Sequence, residues 1–354
     1  MQDIIFTSTP HLTLAELITD LHPDKVFFLA DSHTACHCLP HLVQDAAPCR
    51  SFPAGEESKG PETLFDVLGW LSASGCTRHS LLVNVGGGVV TDLGGFAAGI
   101  FKRGIRFINV PTSLLAMVDA SVGGKTGIDF NGCKNEVGIF APATHVIIAP
   151  VFLQTLDTEN FLSGYAEMLK HSLLIGREAW ERHIACLEDF LTAGEVWRGG
   201  ASDVALESLI RESIACKRRI VEEDPTERGI RKCLNLGHTL GHALESLLLY
   251  KQTPVLHGYA VAWGIVAALY ISVAMQGLPA EILRTTARTV FAAYGRPHIV
   301  CDDYDEIFRL LIHDKKNIFG QLRFTLLEAP GKVLLDVQPP REIIGEALDF
   351  LREA

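Results

Sequence analysis

Ser80-Leu81-Leu82-Val83-Asn84-Val85-Gly86-Gly87-Gly88-Val89-Val90-Thr91-Asp92 decides the reading of the first half of the chain. Residues 80–85 form an uncharged, mainly apolar run of strand length. Three glycines follow without a break, and a helical pattern continues through Gly94-Gly95-Phe96. Strand, glycine turn and helix in that order let a diphosphate approach the backbone while the first helical amides face the anion. The loop lacks the GxGxxG spacing, so taken alone it leaves a nucleotide loop and a plain tight turn both open.

The flanks extend the pattern. Residues 25–31 read as a buried strand ending in Asp31, residues 106–112 as a third strand and residues 145–150 as a fourth, with helical segments between. This alternation predicts an α/β domain with a largely parallel, Rossmann-like sheet over residues 1–157. Such a sheet binds its ligand at the carboxyl ends of its strands, where Asp31, Gly55-Glu56-Glu57-Ser58-Lys59 and Thr112-Ser113 stand. Residues 117–126 (MVDASVGGKT) carry a lysine after two glycines but lack the first glycine of a Walker loop, so Lys125 is a candidate phosphate contact without a P-loop. Cys133-Lys134-Asn135 adds a further cation and an amide donor.

From residue 158 to 354 helical patterns dominate: 159–175, 178–191, 203–223, 237–249, 258–276, 280–294 and 304–313. A late strand pair, 322–327 and 332–335, turns at Pro330-Gly331. The second half therefore reads as a mainly α-helical domain. Residues 252–280 carry no formal charge, a length able to span a bilayer. Pro254, His257, Gly258, Gln276, Gly277 and Pro279 interrupt the run, so a buried helix is expected and no membrane partner.

The net charge of −11 opposes nucleic-acid binding, which needs a basic face, yet permits a local cationic pocket for a small anion. Nine cysteines show no framework spacing and Met1-Gln2-Asp3 lacks a basic leader, so a reducing cytoplasm is expected. His33, Cys36, His37, Cys38 and His41 crowd one stretch without a CxxC pair, and read as a loop or helix start more than a metal site.

The second half carries Leu234-Asn235-Leu236-Gly237-His238-Thr239-Leu240-Gly241-His242-Ala243-Leu244-Glu245, with His257 soon after. His238 and His242 stand at i and i+4, on one helical face. Imidazole serves both as zinc ligand and as general base, and a paired set can equally be structural. Glu167 and Lys170 at i, i+3 read either as an exposed ion pair or as the carboxylate that completes a Glu/His/His catalytic zinc set. Lys217, Arg231 and Lys315-Lys316 add cations. Each alone reads as a surface charge, although Arg231 lies close enough to Asn235 and His238 to share their cleft.

Together these pieces resemble the 3-dehydroquinate synthase family. The likeness runs from Asp31 to Lys316 and rests on GEESK (55–59), GGGVVTDLGGF (86–96), PTSLLAMVDASVGGKTGID (111–129), CKN (133–135), GYAEMLKH (164–171), LNLGHTLGHALE (234–245), LHG (256–258) and DKKN (314–317), in the family's order. The resemblance implies a Rossmann-like NAD domain followed by a helical metal- and substrate-binding domain, with the active site between them. It implies Glu167, His238 and His257 as ligands of zinc, with cobalt possible, and His242 as a proton-handling residue. It places Asp31, Gly55, Glu56, Lys59, Gly87, Gly88, Val89, Val90, Thr91, Asp92, Thr112, Ser113, Phe152, Leu153, Gln154 and Thr155 at NAD. Asp119, Lys125, Lys170 and Asn235 join His242 in catalysis. Arg103, Lys134, Asn135, Lys217, Arg231 and one of Lys315 and Lys316 bind substrate, Arg103 by reaching into the second subunit of a homodimer.

The implied reaction converts 3-deoxy-D-arabino-heptulosonate 7-phosphate to 3-dehydroquinate and phosphate. It proceeds by transient oxidation at C5, phosphate elimination, return of the hydride, ring opening and an intramolecular aldol. Alternatives are a cyclase of sedoheptulose 7-phosphate and a polyol dehydrogenase of the glycerol dehydrogenase type. Three positions depart from the family pattern: Thr91 for glycine, His33 for asparagine and Ser113 for threonine.

Overall fold

A computed structural model describes residues 2–43, 48–131, 133–193, 201–313 and 322–353, with the backbone alone for 201–203 and 313. The chain forms two compact units, Met1–Asp157 and Thr158–Ala354.

The first unit runs β1 (Asp3–Phe6), α1 (Pro10–Leu21), β2 (Val26–Asp31), α2 (Ser32–His37), β3 (Cys49–Phe52), α3 (Pro61–Ala73), β4 (Leu81–Gly86), α4 (Gly88–Ile100), β5 (Arg106–Pro111), β6 (Lys125–Phe130), β7 (Cys133–Phe140) and β8 (His145–Ile148). Six strands form one sheet in the order β1-β8-β5-β4-β2-β3, every neighbouring pair parallel. β4 is buried at every position, which is why it reads as a continuous apolar run and not as alternation. Asn84 interrupts that run in the core, and its side-chain NH2 donates to Asn109 Oδ1 on β5 across 2.9 Å, while its own Oδ1 is buried without a hydrogen-bond partner.

β6 and β7 form a separate antiparallel hairpin. Lys134 and Asn135 lie at the start of β7. β7 is exposed or half-exposed along its whole length, so no buried face imposes the two-residue period that marks a strand.

The second unit runs α5 (Thr158–Ile175), α6 (Arg177–Ala193), α7 (Ala201–Glu223), α8 (His238–Tyr250), α9 (His257–Gln276), α10 (Ala280–Tyr294), α11 (Tyr304–His313), β9 (Phe324–Ala329), β10 (Lys332–Val337) and α12 (Arg341–Glu353). The charge-free stretch becomes α9. It is the one helix among the described residues long and apolar enough for a membrane, but it is buried along most of its length and packs against α5, α8, α10 and α12. Its contact with α8 is backbone to backbone. A Cβ on Gly264 would stand 1.9 Å from the Gly237 carbonyl oxygen, and one on Gly241 2.8 Å from that of Ala260. These glycines bring the start of α8, with His238 and His242, beside His257 at the start of α9. α12 was not anticipated, although Ile344, Ala347, Leu348 and Leu351 give it a buried helical stripe.

Candidate active site

In the second unit four donors converge. His238, His242 and His257 have ligand atoms within 4.8 Å of one another. Glu167 on α5 is wholly buried, with its Oε1 3.3 Å from His238 Nε2 and 3.6 Å from His257 Nε2. Its Oε2 forms an ion pair with Lys170, which is also buried. The Glu167–Lys170 pair is therefore internal, not a solvated helix face.

The protonation pattern of the rings is fixed from behind. His238 Nδ1 donates to the Leu236 carbonyl at 3.2 Å, and His257 Nδ1 to Glu245 Oε2 at 3.2 Å. Each Nε2 then presents a lone pair toward the same carboxylate oxygen, an arrangement that repels unless a cation or proton stands between. Neither Glu167 oxygen accepts a well-formed hydrogen bond. Zinc ligands at about 2.0–2.2 Å in a tetrahedral array stand roughly 3.3–3.5 Å apart, which is the spacing found here. The donor set fits a divalent metal.

The electrostatics agree. Burial works against the Glu167 charge, but the Lys170 ammonium and His238 hold its carboxyl well below the usual range. Burial and then Lys170 push His238 down to about 3, so that ring is neutral. Burial opposes protonation of His257 as well, yet Glu167 and Glu245 outweigh it and push the ring up to about 10. Without a metal, a proton on His257 supplies the missing positive charge.

Two of the cations singled out in this unit are not surface charges. Arg231 and Lys217 are buried. Arg231 Nη1 donates to the Pro225 carbonyl at 2.8 Å and its amide to Asp224 Oδ2 at 3.1 Å. Asn235 Nδ2 donates to Glu227 Oε1 at 3.1 Å. Lys315 and Lys316 lie outside the described residues.

In the first unit, Gly87 caps α4 with no side chain, leaving the amides of its first turn for a ligand. A Cβ on Gly87 would meet Ser113 Oγ at 3.4 Å and one on Gly88 would meet Ala120 Cβ at 3.6 Å, both ordinary contacts. Nothing in the chain itself requires glycine at these two places, so the cradle fits a diphosphate lying on the backbone. Val90, Phe152 and Leu153 are buried in the core, so at a cofactor they would offer backbone only. The Asp31 carboxylate caps α2, accepting from the His33 and Thr34 amides at 2.9 and 2.8 Å. Burial pushes the Cys38 thiol up to about 11, with Thr155 and Thr112 acting against it. All nine cysteines are free, and no metal cluster forms around Cys36 and Cys38 among the described residues.

Lys59 is buried and lies 2.7 Å from Asp92 Oδ2 and 2.7 Å from Asn135 Oδ1. Burial opposes its charge, but Asp92 and Glu56 keep the ammonium above its ordinary value. Lys125 opens β6 and is exposed, whereas Asp119 sits in the turn Ala116–Ala120. Arg103 is exposed and left-handed, with φ 69.

Against known proteins, family models described as 3-dehydroquinate synthase N-terminal and C-terminal match residues 50–163 and 164–317. A 3-dehydroquinate synthase of Parabacteroides distasonis is 46% identical, the match covering 100% of this chain and 98% of that protein. This chain belongs to the 3-dehydroquinate synthase family. A 2-deoxy-scyllo-inosose synthase solved with carbaglucose-6-phosphate, NAD+ and Co2+ superposes with TM-score 0.78 at 25% identity, covering 98% of this chain and 95% of that one. A 2-epi-5-epi-valiolone synthase of Streptomyces hygroscopicus shares the fold, with TM-score 0.84 at 24% identity over 100% and 97% of the two chains.

Family membership leaves three residues that the sequence reading passed over. Glu245, at the end of the histidine motif, holds His257. Glu227, with φ 58, holds Asn235. Asp129 accepts the Asn135 amide at 2.7 Å. Only Glu245 and Asp129 stood inside quoted motifs, and nothing in their spacing names the partner.

Proposed function

We propose that this chain catalyses the conversion of 3-deoxy-D-arabino-heptulosonate 7-phosphate to 3-dehydroquinate and phosphate, using NAD and a divalent metal. The full-length 46% identity to a 3-dehydroquinate synthase carries the reading. The buried Arg231 and Lys217, suited to a carboxylate-bearing substrate, support it. When bound, NAD supplies a reversible hydride acceptor and zinc, or cobalt, a Lewis acid for the substrate oxygen.

The residues divide the remaining work. Glu167, His238 and His257 hold the metal, and Lys170 keeps Glu167 ionised. His242, beside both ligand rings, carries the proton that leaves the substrate hydroxyl. Arg231 and Lys217 grip the carboxylate, and Asn235, steadied by Glu227, orients a substrate oxygen near the phosphate. Asp119, Lys125, Lys134, Asn135 and one of Lys315 and Lys316 complete the substrate set. The loop Gly87–Asp92, with Asp31, Gly55, Glu56, Lys59, Thr112, Ser113 and residues 152–155, takes NAD. We also propose a cytoplasmic homodimer in which Arg103 reaches a phosphate held by the second copy. A monomer with full activity in light scattering would remove that role.

The test is purified chain with the heptulosonate phosphate, catalytic NAD+ and zinc. Phosphate release without accumulating NADH supports the synthase, whereas stoichiometric NADH indicates a polyol dehydrogenase. Faster turnover of sedoheptulose 7-phosphate replaces the substrate assignment.

A further inference from the structure

We infer that Lys59 is a positioning residue that couples the cofactor and substrate positions of the first unit. The inference deepens the functional reading above and rests on its placing Asp92 at NAD and Asn135 at the substrate.

The geometry is a closed circuit. Lys59 Nζ pairs with Asp92 Oδ2 on α4 at 2.7 Å and donates to Asn135 Oδ1 on β7 at 2.7 Å. The Lys59 carbonyl accepts from the Asp129 amide at 2.8 Å, and Asp129 Oδ1 accepts from the Asn135 amide at 2.7 Å. One lysine therefore grips the hairpin through main chain and side chain together, while its ammonium is anchored on the helix that opens at the glycine loop.

Asn135 depends on that grip. Its backbone is left-handed, with φ 51, and β7 is too exposed for core packing to fix it. With its amide oxygen committed to Lys59, the Asn135 NH2 is the group left to donate, which suits an oxygen-rich substrate. A ligand that orders Asp92 at the glycine loop orders Lys59, and through it the donor of Asn135. Affinity for one ligand must then depend on the other, equally in both directions.

A double-mutant cycle read in NAD+ affinity by calorimetry tests this, with substrate KM measured alongside. Asn135→Ala is expected to raise the NAD+ Kd about fivefold, within the range found for coupled contacting residues. In a Lys59→Met background the same change is expected to add less than about twofold. If Lys59→Met does not fold, Lys59→Met/Asp92→Asn removes both buried charges and serves as the background. Asn135→Asp keeps an oxygen for Lys59 and loses the donor, so NAD+ affinity should hold while substrate KM rises. An unchanged NAD+ Kd in Asn135→Ala, or effects that multiply across the cycle, overturns the coupling. A wild-type chain that binds NAD+ but does not turn over the heptulosonate overturns the substrate reading, while the coupling is still decided by NAD+ affinity. A chain that binds no NAD+ overturns both.

Discussion

Lys59 and Lys170 are both buried beside a carboxylate, one in each unit, but their surroundings differ in kind. Lys59 meets Asp92 and Asn135 at 2.7 Å each, and Asp129 closes the circuit behind them. Lys170 pairs with Glu167, whose other oxygen faces two imidazole nitrogens at 3.3 and 3.6 Å without a well-formed hydrogen bond. The first cluster is completed by the chain. The second is completed by a proton or a metal. Buried charge persists when its partners are in place, and a cluster that needs an outside cation marks where one binds. The number of charges in a cluster does not locate a ligand. Lone pairs left facing each other do.

The sharpest way to break this distinction is His257→Ala. If the second cluster is a metal site, removing one of three ligands should abolish stoichiometric zinc, measured by elemental analysis. It should also cut kcat/KM by about a thousandfold or more, since metal stabilisation of developing charge is worth several kcal/mol. The circular dichroism spectrum should be unchanged, because this ring sits at a helix start and is half-exposed. Full zinc retention would place the metal elsewhere.

Next in size is Glu245→Gln. Glu245 orients His257 from behind at 3.2 Å, and losing such a carboxylate typically weakens metal binding about 10–100-fold. Competition with a coloured chelator reads this directly. An affinity equal to wild type would make Glu245 merely a buried neighbour and leave the His257 tautomer unexplained.

Much of the fold was legible because the signal was local. β2, β4, β5 and β8 are apolar runs, and α5 to α11 carry helical periodicity. The histidine pair showed its face through its i, i+4 spacing. What sequence could not give was burial and partnership. Lys170, Lys217 and Arg231 look like ordinary surface charges in one dimension, yet each is buried. Glu245 meets His257 across two helices, and Lys59 meets Asn135 across seventy-six positions. Strand β7 of the hairpin was missed because a strand exposed on both faces carries no alternation.

Proton release gives a finer test of what fills the second cluster. His257 is raised to about 10 and His238 is lowered to about 3. Between these values the metal-free protein holds one proton, on His257, and zinc must displace it. Zinc binding at pH 8 should release about one proton, and affinity should rise roughly tenfold per pH unit until about pH 10. The sign for stability without metal is opposite. A raised histidine contributes most below its unfolded value of about 6.5, and that contribution fades as pH climbs through about 10. Calorimetry in buffers of differing ionisation enthalpy measures the proton count. A count near zero would mean the ring is already neutral and the lone-pair argument needs another cation.

The smallest expected effect concerns Thr91, which stands where the resemblance expects glycine. It is buried, and its hydroxyl lies 3.3 and 3.2 Å from the carbonyls of Gly87 and Gly88, within the first turn of α4. Its polar atom is thus satisfied by the helix, as Lys59 is satisfied by Asp92 and Asn135, and the departure belongs with the self-completed kind of site. Thr91→Gly removes a buried methyl and a local hydrogen bond, and it adds backbone freedom to the helix. Together these should cost about 1–2 kcal/mol in chemical denaturation followed on the first unit. The NAD+ Kd should move by less than about twofold, because the backbone that Thr91 lends to the NAD loop is kept and only a hydroxyl committed to the helix is lost. A tenfold change in NAD+ affinity at unchanged stability would reverse the assignment. The Thr91 side chain, and not its backbone alone, would then be a cofactor contact, and a satisfied hydrogen bond would no longer distinguish what the chain completes from what a ligand does.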